Sequence, residues 1–182
     1  MKPTEELAHE HKVITHVLKV VAAEAQNISN KTACRAELIE MMLDFSRNFT
    51  DKYHHAKEEK NLFPMLEKKG MSHDTGPIAV MLAEHSAGRQ MISRIAGLLS
   101  AAEQEDKKAL LSLAESLSDY VNLLESHIDK ENNILFPMAE RLLGEAEMAE
   151  LEKAFALVEA IETGEGVHEK YHQLAHKISA YR

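Results

Sequence analysis

Tryptophan is absent from this 182-residue sequence, aromatic residues make up only 5% of it, and cysteine occurs once, at Cys34. A lone cysteine excludes an internal disulfide framework, and nothing in the chain calls for an oxidising compartment. Cys34 reads as a packing residue, after the burial habit of free cysteine. Proline falls only at 3, 64, 77 and 137, and glycine clusters at 70–76 and 164–166, so breaks are few and the runs between them are long. No segment alternates like a strand, and no uninterrupted apolar run approaches the length of a membrane span. The start MKPTEELAHEHK lacks the apolar stretch of a signal peptide, which predicts a cytosolic protein. Basic residues are outnumbered, 21 to 30, for a net charge of −9. That balance opposes attraction to nucleic acid or an anionic membrane, and neither is expected as a partner.

What is present is helical. The 45% of hydrophobic residues are mostly Leu, Ile, Val, Ala and nine Met, a palette that suits helices. The periodicity predicts a first helix from Pro3-Thr4 to about Asn27, capped by Thr4, with Leu7, Ile14, Val17, Leu18 and Val21 as its inner stripe. A second runs from about Thr32 toward Lys69. A third follows Pro77 and carries Ile78, Met81, Leu82, His85, Ile92 and Leu99, and a fourth spans about Asp106–Leu143. Pro64 and Pro137 are expected to kink or end their helices. Two shorter helices are predicted near Glu145–Ile161 and Val167–Tyr181. The expected organisation is a bundle over residues 1–143 and a helical extension over 144–182 packed on it.

Comparing the two halves adds a repeat. HHAKEEKNLFPMLE at 54–67 matches HIDKENNILFPMAE at 127–140 without a gap, at an offset of 73, and Glu10-His11 matches Glu84-His85 at an offset of 74. Two copies of a helical hairpin related by a pseudo-twofold predict an all-α, up-down four-helix bundle.

The repeat also carries chemistry. Residues four apart share a helix face, so His54 with Glu58, and His127 with Glu131, aim two donor groups at one place. The face around the second pair is apolar, from Leu113, Leu117, Tyr120 and Leu124 to Leu135 and Met138. Buried carboxylates need compensation. No regularly matched Arg or Lys is read on that face, so a shared cation is expected, with imidazole and carboxylate suiting iron, manganese or zinc. Glu10 and Glu84 point about 100° away from the neighbouring histidines and are read as supporting or surface groups.

His11, the His54/Glu58 pair, His85, the His127/Glu131 pair and both Leu-Phe-Pro tails resemble the hemerythrin-like, or HHE cation-binding, family over roughly residues 4–143. The resemblance implies a four-helix bundle with two oxo- or hydroxo-bridged irons, Glu58 and Glu131 bridging and the four histidines terminal. Oxygen-carrying members place a further histidine one turn before the position of His85, where this chain has Met81. They also end the last motif with an aspartate five residues after its histidine, where Glu131 is four after His127. In both respects the chain looks closer to the bacterial subgroup that includes repair-of-iron-centres proteins. With two six-coordinate irons, four histidines, two bridging glutamates and one oxygen bridge leave one position open on each iron. That count suits chemistry with peroxide or nitric oxide as well as dioxygen, in stress response or iron-centre repair, and it requires an external electron donor. Reversible dioxygen or iron sensing without turnover is the alternative, and a structural zinc site a third. Self-association into a homodimer is left open.

The other histidines are read blandly. His9, His16 and His55 are taken as surface or supporting groups, His73 as a turn residue, and the row His168, His172 and His176 as a solvated helix face. Met41, Met42, Met71, Met81 and Met91 are read as core filler.

Overall fold

The computed structural model describes residues 1–31, 33–158, 160, 164 and 166–181, and among these no strand occurs. Four long helical stretches make up the bundle. The first is α1 (Pro3–Lys31). The second runs through α2 (Ala36–Phe45), a π-helical segment π1 (Ser46–His55), a shorter one π2 (Glu58–Leu62) and α3 (Phe63–Lys68). The third is α4 (Gly76–Glu103), and the fourth is α5 (Lys107–Lys130) continued by π3 (Glu131–Leu135) and α6 (Phe136–Leu142). Two further helices follow, α7 (Glu145–Leu157) and α8 (Val167–Ser179). The expected ends at Thr32 and Ile161 lie outside the described residues.

Two apolar clusters show the direction of each stretch. Ile14, Val17, Val21 and Ile28 of α1 pack with Leu38, Phe45, Phe49, Ile95, Leu99, Leu113 and Leu117. Leu7, near the start of α1, packs instead with Leu62, Phe63, Leu66, Ile78, Met81, Leu135 and Phe136. The beginning of α1 therefore lies beside the end of the second stretch, the beginning of the third and the end of the fourth, as an up-down bundle requires. The apolar stripes read from sequence are the ones buried, except that Leu82 and Met138 are only partly so. Helix α8 adds Tyr171, Ala175 and Ile178 to the larger cluster, and α7 adds Leu151 and Phe155 to the smaller one.

Local details depart from expectation at three places. Thr4 does not cap α1. It is buried one residue inside the helix, and its hydroxyl donates to Glu140 Oε1 at 2.8 Å, tying α1 to α6. Pro64 and Pro137 do not end their helices, which run on to Lys68 and Leu142. Each proline sits just after a π-helical segment. A wider turn leaves the proline ring clear of the preceding carbonyl and absorbs the missing N–H donor. Third, all of π1 lies in the wall of the bundle beside the centre, with consequences for His55.

Candidate metal centre

Between the two apolar clusters lies a layer of buried polar side chains: Glu10, His11, His54, His55, Lys57, Glu58, His85, His127 and Glu131. All six residues read from the sequence as ligands are in it. Their imidazoles meet in pairs. His11 Nε2 is 2.9 Å from His54 Nε2, and His85 Nε2 is 3.2 Å from His127 Nε2. Each pair comes from one half of the repeat, so each hairpin supplies one pair.

The glutamates join the pairs. Glu58 turns Oε1 to within 3.6 Å of His54 Nε2 and Oε2 to within 3.4 Å of His85 Nε2. Glu131 Oε2 is 3.2 Å from both His11 Nε2 and His127 Nε2. Two groups result whose donor atoms lie within 4.8 Å of one another: His11, His54, Glu58 and Glu131, and His55, Glu58, His85 and His127. None of the four carboxylate oxygens of Glu58 and Glu131 has a hydrogen-bond partner. A desolvated carboxylate without donors is costly, and a cation between the imidazole pairs removes that cost.

Orientation comes from the groups around the six. His54 Nδ1 donates to Glu10 Oε2 at 2.7 Å and His127 Nδ1 to Glu84 Oε2 at 3.1 Å, both within one half of the repeat. His11 Nδ1 donates to Asn132 Oδ1 at 2.9 Å and His85 Nδ1 to Glu59 Oε1 at 2.7 Å, both across the halves. With Nδ1 occupied by an acceptor, Nε2 is left to face inward, the arrangement that fixes tautomer and ring angle at metal sites. A second tier of bases holds the acids. Lys57, fully buried, donates to Glu10 Oε1 at 2.5 Å and Glu6 Oε1 at 2.6 Å, Lys130 pairs with Glu84, and Arg89 donates to Glu59 Oε1 at 2.7 Å. Lys57 and Lys130 also recur at the offset of 73 shown by the histidines, but off the face that carries the His/Glu pairs. Their ammonium groups face Glu10 and Glu84 on the neighbouring helices α1 and α4, and among the described residues no lysine or arginine pairs with Glu58 or Glu131.

This geometry agrees with what comparison with known proteins finds. The model of the hemerythrin HHE cation binding domain matches residues 2–139. The chain belongs to this family. An uncharacterized protein of Mycobacterium tuberculosis is 26% identical over 151 residues, 83% of this chain and 58% of that protein. The iron-sulfur cluster repair protein YtfE of Yersinia pestis is 36% identical over 90 residues, 48% of this chain and 41% of that protein. The chain thus spans less than two thirds of the length of either relative.

In this HHE domain the electrostatics follow from burial against charge. Burial alone would lower His85, but the Glu58 and Glu59 carboxylates outweigh it and push it up to about 9, and His11 is raised in the same way by Glu131. Burial would raise Glu131, yet the imidazoles of His127 and His11 hold it well below the usual carboxylate range. His55 goes the other way, with burial and the neighbouring histidines pushing it well below 6.5.

For His55 the sequence left surface and supporting roles open, and the structure decides between them. His55 is buried, not on the surface, and belongs to the second group of donors. In an α-helix consecutive residues diverge by about 100°. The wider π1 turn reduces that angle, so His54 faces one imidazole pair and His55 the other. The remaining histidines fall largely as expected. His9 and His16 are exposed, and His73 pairs with Glu67 on the surface. His168 and His172, with ring nitrogens 3.1 Å apart, are half-buried against Phe49 and His9, and His176 is exposed. Among the described residues that row does not bring three donor atoms together. Met81 and Met42 are core residues, while Met41, Met71 and Met91 are partly buried against the clusters. Among the described residues no helix is long and apolar enough to cross a membrane.

Proposed function

We propose that this HHE domain holds two iron ions, one at His11 and His54 and one at His85 and His127, with Glu58 and Glu131 spanning both. The domain then binds or reacts with dioxygen, peroxide or nitric oxide, in a stress-response or iron-centre repair role. The observation that carries this reading is the set of four buried, unpartnered carboxylate oxygens of Glu58 and Glu131 lying between two imidazole pairs. With ring nitrogens 2.9 and 3.2 Å apart, each imidazole pair would offer two nitrogen donors to one cation. Mixed nitrogen and oxygen donors suit iron.

When bound, the irons supply redox chemistry and coordination positions for a small molecule. The chain's own residues do the rest. Glu10, Glu59, Glu84 and Asn132 hold each imidazole by Nδ1 so that Nε2 stays aimed inward. Lys57 helps keep Glu10 ionised and Arg89 helps keep Glu59 ionised, Lys130 pairs with Glu84, and the apolar clusters above and below exclude bulk water. The name of the YtfE relative favours the repair role over a carrier role.

The test is metal content and the optical spectrum of protein from iron-replete growth, before and after anaerobic reduction and return to air. Two irons per chain, with near-ultraviolet bands that bleach on reduction and return in air, support the reading. One zinc, or no metal and an unchanging spectrum, overturns it.

A further inference from the structure

Six of the eleven histidines lie outside the central layer, and five of those six gather where α8 packs on α1. His9, His16, His172 and His176 line a groove of about 240 Å³ between the two helices, and His168 adjoins His172. The burial of α8 rests on Tyr171, Ala175 and Ile178, so these histidines are not what holds the helix in place. Their collection on one seam calls for another reason.

His168 and His172, four apart on α8, bring their Nε2 atoms to 3.1 Å. That spacing matches the 2.9 and 3.2 Å of the two imidazole pairs at the centre. Imidazole lone pairs lie in the ring plane, and planes that cross allow two of them to meet at one point. The rings of His168 and His172 cross at 47°, with centroids 4.3 Å apart, much as the central pairs cross at 62° and 65°. Both rings are half-buried and held from the core side. Phe49 and Tyr53 lie 6.3 and 5.9 Å from the His168 ring, and Phe49 meets His172 edge-on at 6.0 Å. Across the seam His9 is exposed and stacks on His172 with centroids 6.4 Å apart. A change of rotamer, open to an exposed side chain, brings its ring nitrogen to the pair as a third donor.

We propose that His168 and His172, with His9 from the facing helix, form a second metal site, at the surface, for a divalent transition metal of the zinc class. Donors that are all imidazole select zinc, nickel or copper over magnesium or calcium. Three nitrogens leave one tetrahedral position to water. The site shares no ligand with the central layer and opens to solvent, so it fills and empties independently of the centre. Because its donors come from α1 and α8, a bound ion ties the C-terminal helix to the bundle. This goes beyond the two-iron reading and does not depend on it.

The experiment is calorimetric zinc titration of the iron-loaded full chain, with iron content, circular dichroism and melting temperature measured on every sample, for wild type, His168→Ala, His172→Ala, His9→Ala and His73→Ala. The expected result is one more zinc per chain in wild type than in His172→Ala, with iron content and helical signal equal in all five. Losing either α8 histidine should weaken that zinc by about a hundredfold or more, since even losing a residue that only supports a ligand costs about 10- to 100-fold. Zinc should raise the melting temperature of wild type and of His73→Ala, changed away from the seam. In His9→Ala zinc should bind more weakly and the rise should vanish, because the remaining donors lie on α8 alone. Equal zinc uptake by wild type and His172→Ala overturns the proposal, and a rise that survives in His9→Ala overturns the link to α1. The difference between wild type and variant carries the test, so a centre that fails to hold two irons overturns the functional reading and leaves this inference standing.

Discussion

The Nδ1 partners of His11 and His85 are Asn132 and Glu59, residues that occupy the same place in the repeat but on opposite halves of the bundle. Each histidine is thus oriented by the hairpin it does not belong to. The halves cannot separate without releasing both rings, so the bundle must close before the centre is formed. The substitution of an amide for a carboxylate at this place also gives the two imidazole pairs different electrostatic surroundings: one outer acceptor neutral and the other an acid shared with Arg89.

Removing either spanning carboxylate should remove two-metal binding. Glu58→Ala and Glu131→Ala are each expected to hold at most one ion per chain, while His172→Ala keeps the wild-type content. Elemental analysis of the three proteins checks this, and equal content in all of them would contradict the assignment.

The metal-free protein should lose stability as pH rises. A histidine raised from 6.5 to about 9 binds its proton more tightly folded than unfolded, so its contribution is complete below pH 6.5 and is lost through about pH 9. The loss should be on the order of 3 kcal/mol at most. Urea melts of the chelated protein across that window should show it. Protein loaded with metal should show a smaller slope, because the ion replaces the proton. Metal affinity should rise over the same window, since binding must displace that proton.

Lys57 and Lys130 occupy equivalent positions but should differ in consequence. Lys57 is fully buried between Glu6 and Glu10, with its ammonium 3.9 Å from the Tyr53 ring centroid, whereas the Lys130 side chain is 30% exposed. Lys57→Met strands the buried Glu10 and should cost about 3–5 kcal/mol. Lys130→Met should cost about 1 kcal/mol or less, the worth of a partly solvated pair. Adding Glu10→Gln to Lys57→Met should restore much of the loss. Chemical denaturation of the four proteins measures the difference.

The C-terminal helix should matter to stability and not to the centre. Ile178 is fully buried where α8 meets the larger apolar cluster, and Ile178→Ala should cost about 2–5 kcal/mol. Iron content per folded chain should be unchanged. A drop in metal without a drop in stability would show that α8 shapes the site directly.

Much of this was legible in one dimension. Helices announce themselves by the spacing of apolar residues, so the stripes of α1, α4 and α5 could be read from neighbours in sequence alone. Duplication supplied what an alignment would have: Glu58 and Glu131 stand out because the residues around them recur in register. The same comparison also contained Lys57 and Lys130, and the mismatch of His55 with Ile128. An α-helical wheel turns both away from the ligands, so neither difference points to the centre until the π-helical turn is known.

Sequence by itself therefore determined the helical class, the paired architecture and the six residues gathered at the centre, because these depend on periodicity and repetition. Tertiary structure alone decided which imidazoles pair, which side chain orients each ring, and that His55 faces inward beside a cavity. Those outcomes depend on where π-helical turns fall and on contacts between residues 26–121 positions apart, which local spacing does not encode.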